Sequence, residues 1–275
     1  MIERRKSTYS MWALFRNCRK AAHWRYVLEL VPLEKDERLS FGSLIHGCLE
    51  IWHLRRDLGA VLDHIDRACV GRAQDEEQRR FWHLATAMVR GYAACYPAEE
   101  FEVVAIEKTF EGEILNPATG AASRSFTLAG KVDGIVRVGD EHFLLEHKTA
   151  AGIDAGYLER LWTDFQITLY AHYVEQALGI RVSGVIYNVL VKARLQQSAG
   201  ETEVEFEERR SALLAKSKTG KTTATRRMPE TDEEFQARLA AKYAEPGMFH
   251  RELLYVSREQ FDTLRAELWE LTQAF

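Results

Sequence analysis

The chain is 275 residues long and 46% apolar, enough for one large domain with a sizeable core. Its 37 basic and 41 acidic residues leave a net charge of −4, which excludes binding of nucleic acid by global charge and confines any basic surface to a local patch. There is no apolar run of about 18 residues or more, and Met1-Ile2-Glu3-Arg4-Arg5-Lys6 lacks the apolar stretch of a signal peptide. A soluble, cytoplasmic protein with no membrane partner is therefore expected.

In chain order, residues 8–30 read as helical and rich in aromatics, and Pro32 with the charged run Glu34 to Arg38 reads as a loop. Ser40 is placed to cap a helix from Phe41 to about Leu58. On it Leu44, Ile45, Cys48, Leu49 and Trp52 form an apolar stripe, and His46, Glu50 and His53 form a polar one. His46 offers a nitrogen ligand for a metal, with Glu50 one turn on to orient it or bind a second ion. The same pattern also describes a solvated face with an incidental histidine, and His53 reads as surface. A second helical region, about 60–97, is heavily charged between Arg72 and Arg80, ends at Pro97 and looks like a covering insertion. The cysteines, Cys18, Cys48, Cys69 and Cys95, include no close pair of the zinc-ribbon kind and read as reduced, mostly buried thiols.

Phe101 to Phe110 alternates as a strand, with Glu107 on the face opposite Ile106 and Phe110, and Asn116 to Gly120 is a turn. Two apolar runs then flank Gly139-Asp140, which predicts a tight hairpin with glycine in the first central position. A two-residue loop pairs Val138 with Glu141 and sets Asp133 opposite Glu146; a four-residue loop would set it opposite Lys148. Either register keeps Asp133, Glu146 and Lys148 on one face, since strand side chains alternate with a period of two. Two carboxylates suit a divalent cation and the ammonium suits a proton donor or compensating charge. An ion pair on an exposed sheet face fits the trio alone equally well. The apolar residues on both strands, however, indicate a sheet covered on both sides, where unpaired charge is costly.

After a loop from Ala150 to Tyr157, a helix is predicted near Asp164 to Leu178, with Gln166 and Tyr170 four apart on one face. These two groups can meet a phosphate or the lysine, or they belong to an ordinary amphipathic helix with a half-buried tyrosine. Val182 to Val191 reads as a buried strand. Five acids between Glu201 and Glu208 precede seven basic residues and no acids between Arg209 and Arg227. A basic loop over about 209–228 is expected, with Lys216, Lys218, Lys221, Arg226 and Arg227 neutralising DNA phosphates; a surface loop without a partner has the same composition. Gly220-Lys221-Thr222 is no nucleotide-binding loop, because Ala215 stands where its leading glycine belongs. The tail, 232–275, reads as a helix, a short strand near Leu253 to Val256, and a helix from Arg258 capped by Ser257.

The order helix, three strands, helix, strand, with Asp133 on the second strand and Glu146-His147-Lys148 on the third, resembles the PD-(D/E)XK nuclease superfamily. Gly42-Ser43-Leu44-Ile45-His46-Gly47-Cys48-Leu49-Glu50 and Gln166-Ile167-Thr168-Leu169-Tyr170 are similar to two further motifs of its RecB-type exonuclease branch. The resemblance spans roughly residues 40–192 and implies an α/β (α+β mixed) fold. Its core would be restriction-endonuclease-like, at about 40–58 plus 101–192, with a central mixed sheet flanked by helices in αβββαβ order. It further implies Mg²⁺ or Mn²⁺ held by His46, Asp133, Glu146 and the backbone carbonyl of His147, with Lys148 orienting the attacking water. Gln166 and Tyr170 would hold the lysine and the DNA backbone, with Glu50 and Glu107 as accessory carboxylates. DNA would be the substrate, in recombination, repair or end processing, alongside a recombination or single-strand-binding partner protein. A structure-specific endonuclease or nickase, or a non-cutting binding module, are the other readings of this fold. Cys18 sits where some relatives carry the first ligand of an iron–sulfur cluster, but no cysteine follows Cys95, so no such cluster is expected. Val132 stands where the superfamily name has proline.

Overall fold

The computed structural model of the chain describes residues 4–33, 37–69 and 76–275. Strand β1 (Arg5–Ser7) leads into helices α1 (Tyr9–Asn17) and α2 (Arg19–Tyr26). The single helix expected over residues 8–30 is thus broken at Cys18, whose backbone is extended and whose N–H closes α1 on the Leu14 carbonyl. Helix α3 runs Glu37–Arg55, so it starts before Ser40, which is not its cap; residues 34–36 of the expected loop lie outside the described residues. Helices α4 (Leu58–Cys69) and α5 (Glu76–Cys95) follow, the charged residues 72–75 again lying outside the described residues.

The sheet is then laid down by β2 (Glu102–Leu115), β3 (Ala122–Val138) and β4 (Glu141–Ala150). The Asn116 side chain accepts from the Ala118 and Thr119 N–H groups to build the turn between β2 and β3. At the β3–β4 hairpin Val138 pairs with Glu141, and Gly139 takes φ +59°, which an L side chain adopts only with strain. The expected loop from Ala150 to Tyr157 is shorter, because Asp154 accepts the Tyr157 N–H and caps helix α6 (Ala155–Leu161). Helix α7 (Phe165–Leu178) and strand β5 (Val182–Val191) complete the αβββαβ order.

Residues 209–216, expected as loop, belong instead to helix α8 (Glu203–Lys216), which Thr202 and Glu205 start with a capping box. The tail is α9 (Asp232–Tyr243), β6 (Phe249–Tyr255) and α10 (Arg258–Ala274), with Ser257 capping the last helix as its spacing predicts. Strand β6 is longer than expected because it pairs along β5 from Leu190↔Phe249 to Gly184↔Tyr255.

The mixed sheet runs β1-β3-β4-β5-β6, with β2 on the other edge of β3. β4 and β5 are parallel, as are β1 and β3, and the remaining pairs are antiparallel. One face packs against α1, α7 and α10 through Trp12, Leu144, Ile167, Tyr187 and Leu268. The other lies under α3, α5 and α9, with Ile45, Leu49, Met88, Leu190 and Leu239 buried between them. Burying these apolar side chains drives the assembly, and the two covered faces explain why β5 reads as a continuous apolar run. No disulfide joins the cysteines; Cys48 is buried, but Cys18 and Cys95 are exposed, which corrects the expectation that most of the thiols are buried. No helix among the described residues is long and apolar enough to cross a membrane.

Candidate active site

Strand β3 pairs with β4 only over its last residues, and its earlier residues Phe126 to Leu128 pair with β1 on that same edge. The strands therefore part just where the hairpin register would set Asp133 against Glu146: the ladder holds for five pairs and stops at Gly134↔Leu145. At the break the Asp133 side chain substitutes for the backbone, its Oδ2 accepting the His147 N–H at 2.8 Å. Its other oxygen, Oδ1, lies 3.2 Å from Nδ1 of His46, which α3 delivers from above. Burial pushes the Asp133 carboxyl up, but the His46 hydrogen bond and the His147 N–H outweigh it and hold the group below the usual carboxylate range. Burial lowers the His46 pKa, while the hydrogen bond and charge of Asp133 and the charge of Glu146 together raise it by more.

Glu146 and Lys148 point to the α7 side of β4. Lys148 Nζ donates to Glu146 Oε1 at 2.6 Å and to Gln166 Oε1 at 3.0 Å, and Gln166 Nε2 closes the triangle on Glu146 Oε1 at 3.0 Å. Glu146 is 7% exposed; burial pushes its carboxyl up against the opposing pull of Lys148. Burial lowers the Lys148 pKa, but Glu146 and Asp133 raise it further, so the ammonium persists. Tyr170, one turn beyond Gln166, packs edge-on to Phe110 and Tyr9, and burial lifts its phenol to about 12 with a hydrogen bond to Gln166 opposing. The site thus gathers Asp133, Glu146, Lys148, His46, Gln166 and Tyr170 from four elements.

A cleft of about 750 Å³ opens beside this cluster, lined by His46, Glu50, Glu107, Lys131, Asp133 and Lys148, while Glu146, Gln166 and Tyr170 do not line it. Glu107 pairs with Lys131 and holds a positive φ of 52°, an uncommon backbone for a side chain of this kind. None of Lys216, Lys218, Lys221, Arg226 and Arg227 lines the cleft. Arg226 instead pairs with Glu203, and Arg227 with Glu201, which also takes a two-pronged hydrogen bond from Arg209. Arg209, Arg226 and Arg227 are thus partnered by the acids that precede them.

Several supporting residues escape sequence reasoning. Asp164 caps α7, its Oδ1 accepting the Gln166 N–H at 2.8 Å while Tyr187 donates to Oδ2 at 2.7 Å. The cap itself is legible as an aspartate just before an apolar helix; the Tyr187 brace is not. On the α3 side of β4 the His147 ring is buried and accepts from Asn188, which also donates to Tyr92. His53, expected at the surface, is 5% exposed and stacks on His147 at 5.1 Å. Its Nδ1 lies 3.7 Å from Glu99, a carboxylate held by Arg56 at 2.9 Å and Arg251 at 2.5 Å, and burial keeps the ring neutral.

The donors match a hard divalent cation: carboxylate and carbonyl oxygens with one imidazole. His46 Nδ1 and Asp133 Oδ1, 3.2 Å apart, would supply one nitrogen and one oxygen donor to such an ion. The Glu146 carboxylate lies nearby, but Lys148 and Gln166 engage its Oε1. Among the described residues no three acid, histidine or cysteine side chains already surround one point.

No curated protein matches the sequence. A solved structure described as the crystal structure of SSO0001 shares 14% identity over 84% of this chain and 85% of that one, with a TM-score of 0.24. The family model of the PD-(D/E)XK nuclease superfamily matches residues 6–274. The chain belongs to the PD-(D/E)XK nuclease superfamily.

Proposed function

We propose that the chain is a metal-dependent DNA exonuclease of the RecB type. The observation that carries this reading is the Lys148 ammonium held between Glu146 and Gln166 beside the Asp133–His46 pair, at the edge of an open cleft. His46, Asp133, Glu146 and the His147 carbonyl hold Mg²⁺ or Mn²⁺. The bound ion supplies a lowered pKa for water and screens phosphate charge. Lys148 orients the attacking water and meets the charge that grows on the scissile phosphate, in a cleft whose buried floor strengthens that interaction. Gln166 keeps the ammonium aimed, Tyr170 backs Gln166, and Glu50 and Glu107 provide further carboxylates at the cleft wall. Exonuclease action rests on the resemblance of the His46 and Gln166–Tyr170 motifs to the RecB-type branch.

The test is digestion of end-labelled linear DNA and covalently closed circles in Mg²⁺ and in Mn²⁺, beside Asp133→Ala and Lys148→Ala. Linear DNA is expected to disappear, circles to survive and both variants to be inactive. Circles cut as fast as linear DNA make the protein an endonuclease or nickase instead. If neither substrate is cut, the enzyme reading fails.

A further inference from the structure

The catalytic cleft does not end at Lys148. A second cavity of about 410 Å³ adjoins it, and Ala151 and Lys192 line both. The step between them is built by the ends of β4 and β5, where the Lys192 N–H bonds the Ala150 carbonyl at 2.8 Å. Arg194, just past β5, reaches back to the Ala151 carbonyl at 3.3 Å and so stands along the same wall. The opposite wall is the start of α5, with Arg80 exposed and Phe81 half-buried. Phe41 of α3 fixes the Phe81 ring edge-on, with centroids 5.4 Å apart, and Lys192 lies 5.4 Å from the Phe41 ring.

The two cavities differ in charge. The catalytic cleft carries Glu50, Glu107 and Asp133 among its lining residues, whereas the second cavity carries Arg80, Lys192 and Arg194 and no carboxylate. Three cations lining one cavity with an aromatic ring favour a polyanion with flat apolar groups, which describes a nucleotide strand. In a duplex the base faces are covered by their neighbours, so a ring such as Phe81 gains stacking only from an unpaired base. The volume also suits one small ligand rather than a helix, lying in the range of about 300–1,000 Å³ typical of small-molecule sites.

We propose that the cavity formed by Arg80, Phe81, Lys192 and Arg194 is a subsite for single-stranded DNA, in which an unpaired base stacks on Phe81 while its neighbouring phosphates meet the three cations. The inference rests on the nuclease reading for its substrate. It adds that the strand running away from the scissile bond toward α5 is unpaired, so a duplex must be frayed or resected to be held there.

The test is fluorescence anisotropy of a labelled oligo-dT strand and of a labelled duplex, with the full chain in EDTA so that nothing is cut. Phe81→Leu, which keeps an apolar side chain, should weaken single-strand binding by about 5- to 100-fold, the worth of one stacked base. Duplex binding should change by less than about twofold, and Phe81→Trp should restore the strand affinity. Arg80→Gln with Arg194→Gln should flatten the salt dependence for the single strand by about 0.7 for each phosphate that is no longer neutralised. Unchanged single-strand affinity in Phe81→Leu, or equal weakening for both DNA forms, overturns the subsite. A wild-type protein that cuts DNA while Phe81→Leu binds normally loses only the subsite. One that binds single strands through Phe81 but cuts nothing loses only the nuclease reading.

Discussion

The backbone N–H of His147 donates to Oδ2 of Asp133 at 2.8 Å, so a carboxylate completes the ladder at the point where β3 and β4 part. One side chain therefore has a structural task and, on the proposed function, a chemical one, and two substitutions separate them. Asp133→Asn retains an oxygen to accept the N–H and should keep the melting temperature near that of the native chain while abolishing cleavage. Asp133→Ala leaves a part-buried donor unpaired and should lose about 1–3 kcal/mol as well as activity, measured by urea unfolding. Equal stability in the two variants would remove the structural task.

Gln166 reaches Lys148 only because α7 starts where it does, and the Tyr187–Asp164 hydrogen bond fixes that start. Tyr187→Phe should cost about 1 kcal/mol and lower kcat with little change in KM, since the substrate is not touched. Asp164→Ala, which removes the cap, should do the same or more. A KM change without a kcat change would contradict this.

The buried histidines set an acid limit on stability. Burial pushes His53 and His172 each down to about 4, so both are neutral in the fold. Between about pH 4 and the ordinary value near 6.5 the unfolded chain binds protons that the folded chain refuses, so stability rises with pH through this window and falls on acidification. Around His53, Glu99 opposes the shift while Arg56 and Arg251 reinforce it. Melting temperature measured from pH 7.5 to 4.5 should drop, and His172→Phe should make the decline shallower. A flat profile would contradict the buried, neutral state.

The basic segment divides into two groups. Arg226 and Arg227 are tied to Glu203 and Glu201, whereas Lys216, Lys218 and Lys221 make no ion pair among the described residues. Replacing those three lysines with glutamine should reduce the slope of log K against log salt for duplex DNA by up to about 2–3, without loss of stability. An unchanged slope means the segment does not meet phosphates.

Much of the site is legible because the relations that define it are local. Gly139-Asp140 fixes the hairpin, the period of two then orients Asp133, Glu146 and Lys148, and the four-residue spacing puts Gln166 near Tyr170. What escapes depends on residues far apart in sequence. His53 looks solvated until Glu99 and Arg251, 152 residues apart, meet beside it. The three-residue β1 carries too little pattern to be seen, yet it takes the edge of β3 at Phe126 to Leu128 that β4 leaves beyond Gly134. The segment 209–228 reads as loop from its composition, although the abrupt switch from the acids of 201–208 is the visible sign of the pairs that Glu201 and Glu203 make with Arg209, Arg226 and Arg227.

The central claim is that Lys148, beside the Asp133–His46 pair, carries phosphodiester hydrolysis. The most direct measurement is the single-turnover cleavage rate of end-labelled DNA in Mn²⁺ by the native chain and by Lys148→Met, with Mn²⁺ affinity measured calorimetrically on both. The variant should bind Mn²⁺ yet cleave at least about 100-fold more slowly, the loss expected when a group that stabilises transition-state charge is removed. A variant that binds the metal and cleaves within about threefold of the native rate would contradict the assignment.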